Sequence, residues 1–346
     1  MEWRAPVIDG QVCHQWRQTI LRSPRAWAYL EIHRSCKPAL LQFRQWLDRS
    51  GSVPLHIRFM GWIWGAQKDL DPHCKRIKSI TLPGSFNALL NNRSFPILQS
   101  LTIMAEYRNS RCIRWSACYA MPELHSLRVS NISMDAPPPN IFPVLRFLSL
   151  YRVNNCDSVI QHSSHSLTSL MIGQITLKYT AESLEFPSLR YLSLCDVIDI
   201  KHWMNVPALT TYHESGRTAA ESFSVSLPFL VEYGVHRLFT EPFLNVTKLH
   251  QYYPNISRLS LRVQPSDVRL FLHSLSDQPS ALPMLRILAV EGEYYHMKYS
   301  GKDKDRMRKD VFMRNMASDV KMELCFVGKD RVPLYFADVG AYINEG

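Results

Sequence analysis

His162 and His165, in the stretch QHSSHS, stand three residues apart. Two imidazoles at that spacing could reach one metal ion, but a metal site needs at least a third ligand. None lies nearby in the chain, so the pair reads as part of a solvated loop. Cys13-His14 and His73-Cys74 are adjacent pairs, and neighbouring side chains do not turn toward a common point. The eight cysteines form no CxxC pair and follow no metal-finger spacing. There is no P-loop, no GxSxG and no HExxH. These residues predict no catalytic group, no metal site and no cofactor, which points to a binding protein rather than an enzyme.

The 346 residues are 46% hydrophobic and 20% charged, the balance of a folded chain. That length exceeds one ordinary core unless the fold is barrel-like, elongated or repetitive. No run of eighteen apolar residues occurs, so no membrane-spanning helix is expected. The start, MEWRAPVIDG, lacks the apolar centre of a signal peptide, and the dispersed cysteines read as reduced core residues. An intracellular protein, of cytoplasm or nucleus, is the expectation. The net charge of +10 is spread out: residues 1–50 hold eight Lys/Arg against four Asp/Glu, and residues 301–346 hold nine against eight. Without a basic stripe, a nucleic-acid partner is not expected.

One phrase recurs through the middle: an apolar residue, Pro, then L-x-x-L-x-L. It reads FPILQSLTI from Phe95, MPELHSLRV from Met121, FPVLRFLSL from Phe142 and FPSLRYLSL from Phe186. CKRIKSITL from Cys74 and HSLTSLMI from His165 lack the Pro. Looser copies are VPALTTYHE from Val206, LPFLVEYGV from Leu227, YPNISRLSL from Tyr253 and LPMLRILAV from Leu282. The first apolar residue after the Pro position falls at Ile77, Leu98, Leu124, Leu145, Leu167, Leu189, Leu209, Leu230, Ile256 and Leu285, in steps of 20 to 29. Phrase and period resemble leucine-rich repeats. Because a strand alternates faces, the two leucines of L-x-L point inward and the residue between them outward. The predicted fold is therefore α/β: a leucine-rich-repeat-like solenoid with parallel strands on its concave face. The Pro is expected at the strand entrance, where no ladder donor is needed. The position that usually holds Asn or Cys is apolar at Ile132, Val153, Ile175 and Val197, which predicts irregular bends.

The ends differ from the repeats. Residues 267–275, DVRLFLHSL, place Val268, Phe271, Leu272 and Leu275 on one helical face. Residues 302–320 read as a charged amphipathic helix and 321–328 as a final strand, a C-terminal cap over the last leucines. Near the start, Val12, Trp16 and Ile20 fall at i, i+4, i+8, an amphipathic helix ended by Ser23-Pro24. Four segments follow: a helical one at 1–36, a connecting helix and first strand at 37–73, irregular repeats at 74–300 and the cap at 301–346.

Val12, Cys13, Trp16, Arg17, Ser23, Pro24, Arg25 and Trp27 make the pattern V-C-x-x-W-R-x-x-x-x-x-S-P-R-x-W. It resembles the second half of the F-box, most closely in F-box proteins of mushroom-type (basidiomycete) fungi with degenerate leucine-rich repeats. Residues 40–59, LLQFRQWLDRSGSVPLHIRF, are similar to the phrase that follows the F-box there. The resemblance implies docking on a Skp1-like adaptor of a cullin-based ubiquitin ligase, with the repeats holding a protein substrate. Val12, Trp16, Arg17, Ile20, Pro24 and Trp27 would then meet the adaptor. An L-P-x-E-type first F-box helix has no counterpart in MEWRAPVIDGQ, so a repeat scaffold that binds no adaptor stays open beside this reading. On the outward strand positions most residues are small, and the larger ones fall in the central repeats: Arg128, Phe147, Met171, Tyr191 and His213. Aromatic and Arg side chains exposed together make a candidate partner-binding face.

Overall fold

The computed structural model describes residues 13–32, 37–61, 65–105, 112–118, 121–175, 183–197, 204–215, 227–236, 245–278, 280–291 and 299–327. The chain divides into two compact units, Met1–Leu167 and Thr168–Gly346. The division falls inside the 74–300 repeat stretch.

In the first unit β1 (Tyr29–Ile32), β2 (Leu55–Phe59), β3 (Ile77–Pro83), β4 (Ser100–Met104), β6 (Ser126–Ser130) and β8 (Phe147–Tyr151) pair in chain order, all parallel. A two-residue ribbon joins β5 (Cys112–Ile113) to β7 (Ser133–Met134). The helices are α1 (His14–Arg22), α2 (Lys37–Arg49), α3 (Ala66–Leu70) and α4 (Asp157–Ser163). In the second unit β9 (Ser169–Gly173), β11 (Tyr191–Cys195), β13 (Thr211–Ser215), β14 (Glu232–His236), β15 (Arg258–Arg262), β16 (Ile287–Glu291) and β17 (Glu323–Val327) pair the same way. A second ribbon joins β10 (Leu184–Glu185) to β12 (Met204–Asn205). The helices of this unit are α5 (Val246–Tyr252), α6 (Pro265–Asp277) and α7 (Gly301–Ala317). Among the described residues, no helix is long and apolar enough to cross a membrane.

Each repeat phrase supplies one strand. The ten residues that begin the phrase, from Ile77 to Leu285, are no more than 1% exposed. The leucine positions of the strands, such as Leu127 and Val129 or Leu170 and Ile172, are buried as well. Burying an aliphatic side chain of this size contributes about 1.5–3 kcal/mol, so the stacked leucine rows dominate the core. The Pro has a more definite place than a strand entrance. The amide of Leu98 donates to the carbonyl of Phe95 at 3.2 Å, Leu124 to Met121 at 3.1 Å, Leu189 to Phe186 at 3.3 Å and Leu285 to Leu282 at 3.0 Å. Pro96, Pro122, Pro187 and Pro283 thus sit at the second position of a tight turn, where a fixed φ is pre-set for the bend.

The bends are more regular than expected. Asn131, Arg152, Gln174 and Asp196, each directly after its strand, all take positive φ between 49° and 55°. The amide of Asn131 donates to Tyr151 O at 2.8 Å, Gln174 to Cys195 O at 2.7 Å and Asp196 to Ser215 O at 2.8 Å. The apolar Ile132, Val153, Ile175 and Val197 then turn inward and are buried. Backbone amides carry the turn that Asn side chains would otherwise satisfy, and the freed position fills the core.

Both ends are built from amphipathic pieces. Tyr29–Ile32 belongs to the stretch expected to be helical, yet it forms β1 because Leu30 and Ile32 alternate inward and are buried. In α2, Phe43 meets Phe59 edge-on at 5.7 Å. Val268, Phe271, Leu272 and Leu275 of α6 are buried as their spacing predicts. Helix α7 opens with a capping box between Ser300 and Asp303, and β17 closes the sheet edge at β16. Arg314 of α7 is buried, and its guanidinium donates to Val320 O at 3.1 Å and Leu282 O at 3.4 Å. Burial lowers its pKa from the ordinary arginine value; the Leu282 carbonyl ties α7 to the turn before β16, and the Val320 carbonyl ties it to the segment leading into β17.

Candidate partner-binding faces

The first described segment is a short surface helix. Cys13 caps α1, its sulfur accepting from the Trp16 amide at 3.4 Å. No residue of α1 is buried. Trp16 is 57% exposed, Arg17 and Pro24 are exposed and Ile20 is half-buried. Val12 lies outside the described residues. Trp27 differs from the expectation for an adaptor contact: it is 3% exposed. Its indole Nε1 donates to Ile20 O at 2.9 Å, and the Arg49 guanidinium stacks 4.6 Å above its ring. Trp27 therefore fastens α1 to the body through α2, while Trp16 faces solvent.

The outward strand residues belong to two units. In the first, Arg128 lies over the Phe147 ring at 4.8 Å, a cation–π contact worth roughly 0.5–1 kcal/mol when exposed. In the second, Tyr191 and His213 approach at 5.6 Å with their planes tilted by 31°, and Met171 stands opposite Ser193 in the ladder. His213 departs from the exposed position expected of it, being 4% exposed. The cause is Gly234, its neighbour on β14. A Cβ at Gly234 would come within 2.2 Å of His213 Nδ1, so the imidazole occupies the space that a side chain there would fill. Burial, with the Arg258 charge adding to it, lowers the His213 pKa to about 4. His213 Nε2 lies 3.9 Å from Glu232, which in turn faces Arg258 at 3.5 Å. An unfolded histidine takes up its proton near pH 6.5. The second unit is therefore expected to be stable above that value and to lose stability as pH falls toward 4. Urea midpoints across this range test the point, and His213→Gln should flatten the slope.

The inward face of the second unit holds an arrangement that the repeat pattern does not announce. Glu214 occupies a leucine position and is buried. Tyr212 Oη donates to it at 2.9 Å, and Tyr233 Oη donates to its other oxygen. The Tyr212 and Tyr233 rings stack at 5.6 Å, and Tyr253 meets Tyr233 at 5.2 Å. Burial, with the Glu214 charge next, pushes both hydroxyls well above the ordinary tyrosine value. The only hint in sequence is the loose copy ALTTYHE, where Tyr and Glu take the inward slots.

His162 and His165 are both exposed, His162 near the end of α4 rather than in a loop. The seven described cysteines are free. Among the described residues, no group of three His, Cys, Asp or Glu is placed to hold a metal ion. No protein-family model matches the chain, and no curated protein matches it in sequence.

Proposed function

We propose that the chain is a substrate-recognition subunit of a Skp1-cullin-F-box ubiquitin ligase. In this reading α1 docks on a Skp1-like adaptor, leucine-rich-repeat-like strands hold a protein substrate, and the chain performs no chemistry of its own. The observation that supports it best is α1 itself, a helix that buries nothing yet presents Trp16 to solvent. A large exposed aromatic on an anchored helix has the makings of an interface hot spot. The burial of Trp27 favours a second reading, a repeat scaffold without adaptor binding, because it gives one of the F-box-like residues a structural task.

Co-purification with a Skp1-like adaptor separates the two. The full chain is expected to retain the adaptor. Trp16→Ala should weaken the complex by about tenfold or more and leave the melting temperature unchanged. Failure of the full chain to bind at micromolar concentrations would leave the scaffold reading in place.

A further inference from the structure

The two residues between the first and second apolar positions of each repeat phrase both lie outside the core, and a third outward residue follows within the strand. In the first unit this gives three parallel rows across β3, β4, β6 and β8. Lys78, Gln99, His125 and Arg146 form the row at the strand entrances. Ser79, Ser100, Ser126 and Phe147 form the next in register, followed by Thr81, Thr102, Arg128 and Ser149. None of the twelve is buried, and Arg128 and Arg146 are exposed. No carboxylate occurs in any row. On the neighbouring strands of this face, Glu31 of β1 faces Arg58 of β2 at 3.7 Å. In the second unit the corresponding rows carry Glu232 on β14 and Glu323 on β17, whereas those of β3 to β8 carry only cationic, hydroxyl, amide and aromatic side chains.

From this charge pattern we infer that the strand face of the first unit binds an acidic, extended peptide segment of its protein partner. Strands are spaced about 4.8 Å apart and rise about 3.3 Å per residue, so Lys78 on β3 and Arg128, two strands over and three residues further along β6, stand roughly 14 Å apart across a floor of hydroxyls. An extended peptide advances about 6.8 Å for every two residues, so carboxylates about four residues apart can reach both cations. Ser100, Thr102 and Ser126 lie between them and can donate or accept hydrogen bonds with the peptide. The Phe147 ring beneath Arg128 holds the guanidinium over the face. Three cations suit a short acidic segment better than a phosphate backbone, whose binding rests on many such contacts. The inference deepens the reading of the repeats as partner-holding, and it does not depend on the adaptor contact.

The test is fluorescence anisotropy on the full chain with a labelled peptide of alternating Glu and Gly, a Lys/Gly counterpart and a single-stranded oligonucleotide. The Glu peptide is expected to bind, more weakly as salt rises, with the Lys peptide and the oligonucleotide at least tenfold weaker. Lys78→Glu combined with Arg128→Glu should weaken the Glu peptide tenfold or more, while Arg258→Glu on the second unit leaves it unchanged. Equal binding of the two peptides, preference for the oligonucleotide, or indifference to the double substitution in a chain of unchanged melting temperature would overturn the inference. Adaptor retention is measured on the same samples. Peptide binding without it would sink the ligase reading alone, and the reverse would sink only this one.

Discussion

Replacing Gly84 with alanine should destabilise the first unit by about 1–3 kcal/mol, the range for forcing atoms into a packed core. Gly84 follows β3, and its backbone runs against the residue after β4. A Cβ placed there would lie 2.5 Å from Ala105 Cβ, 2.9 Å from its Cα and 3.3 Å from Ile132 Cδ1. The first two atoms are fixed to the backbone, so no rotamer change relieves the contact. Ile132 is the apolar residue that fills the neighbouring bend, and shifting it would loosen the turn at Asn131. Gly301 is the control, because a Cβ there meets nothing within 4 Å. It sits at the first position of α7, so Gly301→Ala should be neutral or slightly stabilising. Urea midpoints of the two variants decide the matter, and equal midpoints would contradict the packing described for β3 and β4.

The second large effect concerns Glu214. Tyr233→Phe removes one donor from a buried carboxylate and should cost about 1–3 kcal/mol, the penalty for leaving such a group short of a partner. Glu214→Leu restores the residue type that the repeat phrase carries at this position. Combined with Tyr212→Phe and Tyr233→Phe, which remove the hydroxyls it would otherwise leave without an acceptor, it should be neutral or stabilising, since exchanging a whole buried polar arrangement for apolar packing commonly is. The opposite signs matter: if this combined variant lost as much stability as Tyr233→Phe alone, the cluster would be holding more than its own strands. The tyrosines also set an alkaline limit. Burial and the Glu214 charge raise Tyr212 and Tyr233 well above the ordinary value of about 10. The folded state thus favours the neutral phenols, so their contribution is intact below pH 10 and is lost as pH rises beyond it. Absorbance of tyrosinate should appear together with unfolding at these residues, not before it.

Much of this fold was readable because leucine spacing is a strong signal. Each L-x-x-L-x-L phrase gave a strand, and parity separated Leu127 and Val129 from Arg128. What escaped reading depended on neighbours some twenty residues away. His213 looks exposed by parity, and only the missing side chain at Gly234, one strand over, lets its ring lie flat and buried. Glu214 looks like a lapse in a loose repeat until Tyr233 of the next strand is seen donating to it. The bends misled for a related reason. Asn131, Arg152, Gln174 and Asp196 share no residue type, and their common positive φ is a backbone property that composition does not display. Tyr29–Ile32 reads as part of the helical segment, because four residues are too few for alternation to outweigh the tryptophans before them.

At the N-terminus the residue types were legible and their division of labour was not. Trp16 and Trp27 flank one Ser-Pro break eleven residues apart, but one faces solvent and the other anchors its helix. That division makes calorimetric titration of the full chain with a purified Skp1-like adaptor the most direct measurement. The proposed adaptor contact predicts saturable one-to-one binding, lost or weakened at least tenfold in Trp16→Ala with unchanged stability. An absence of heat and of complex at micromolar concentrations, or binding indifferent to Trp16, would contradict it.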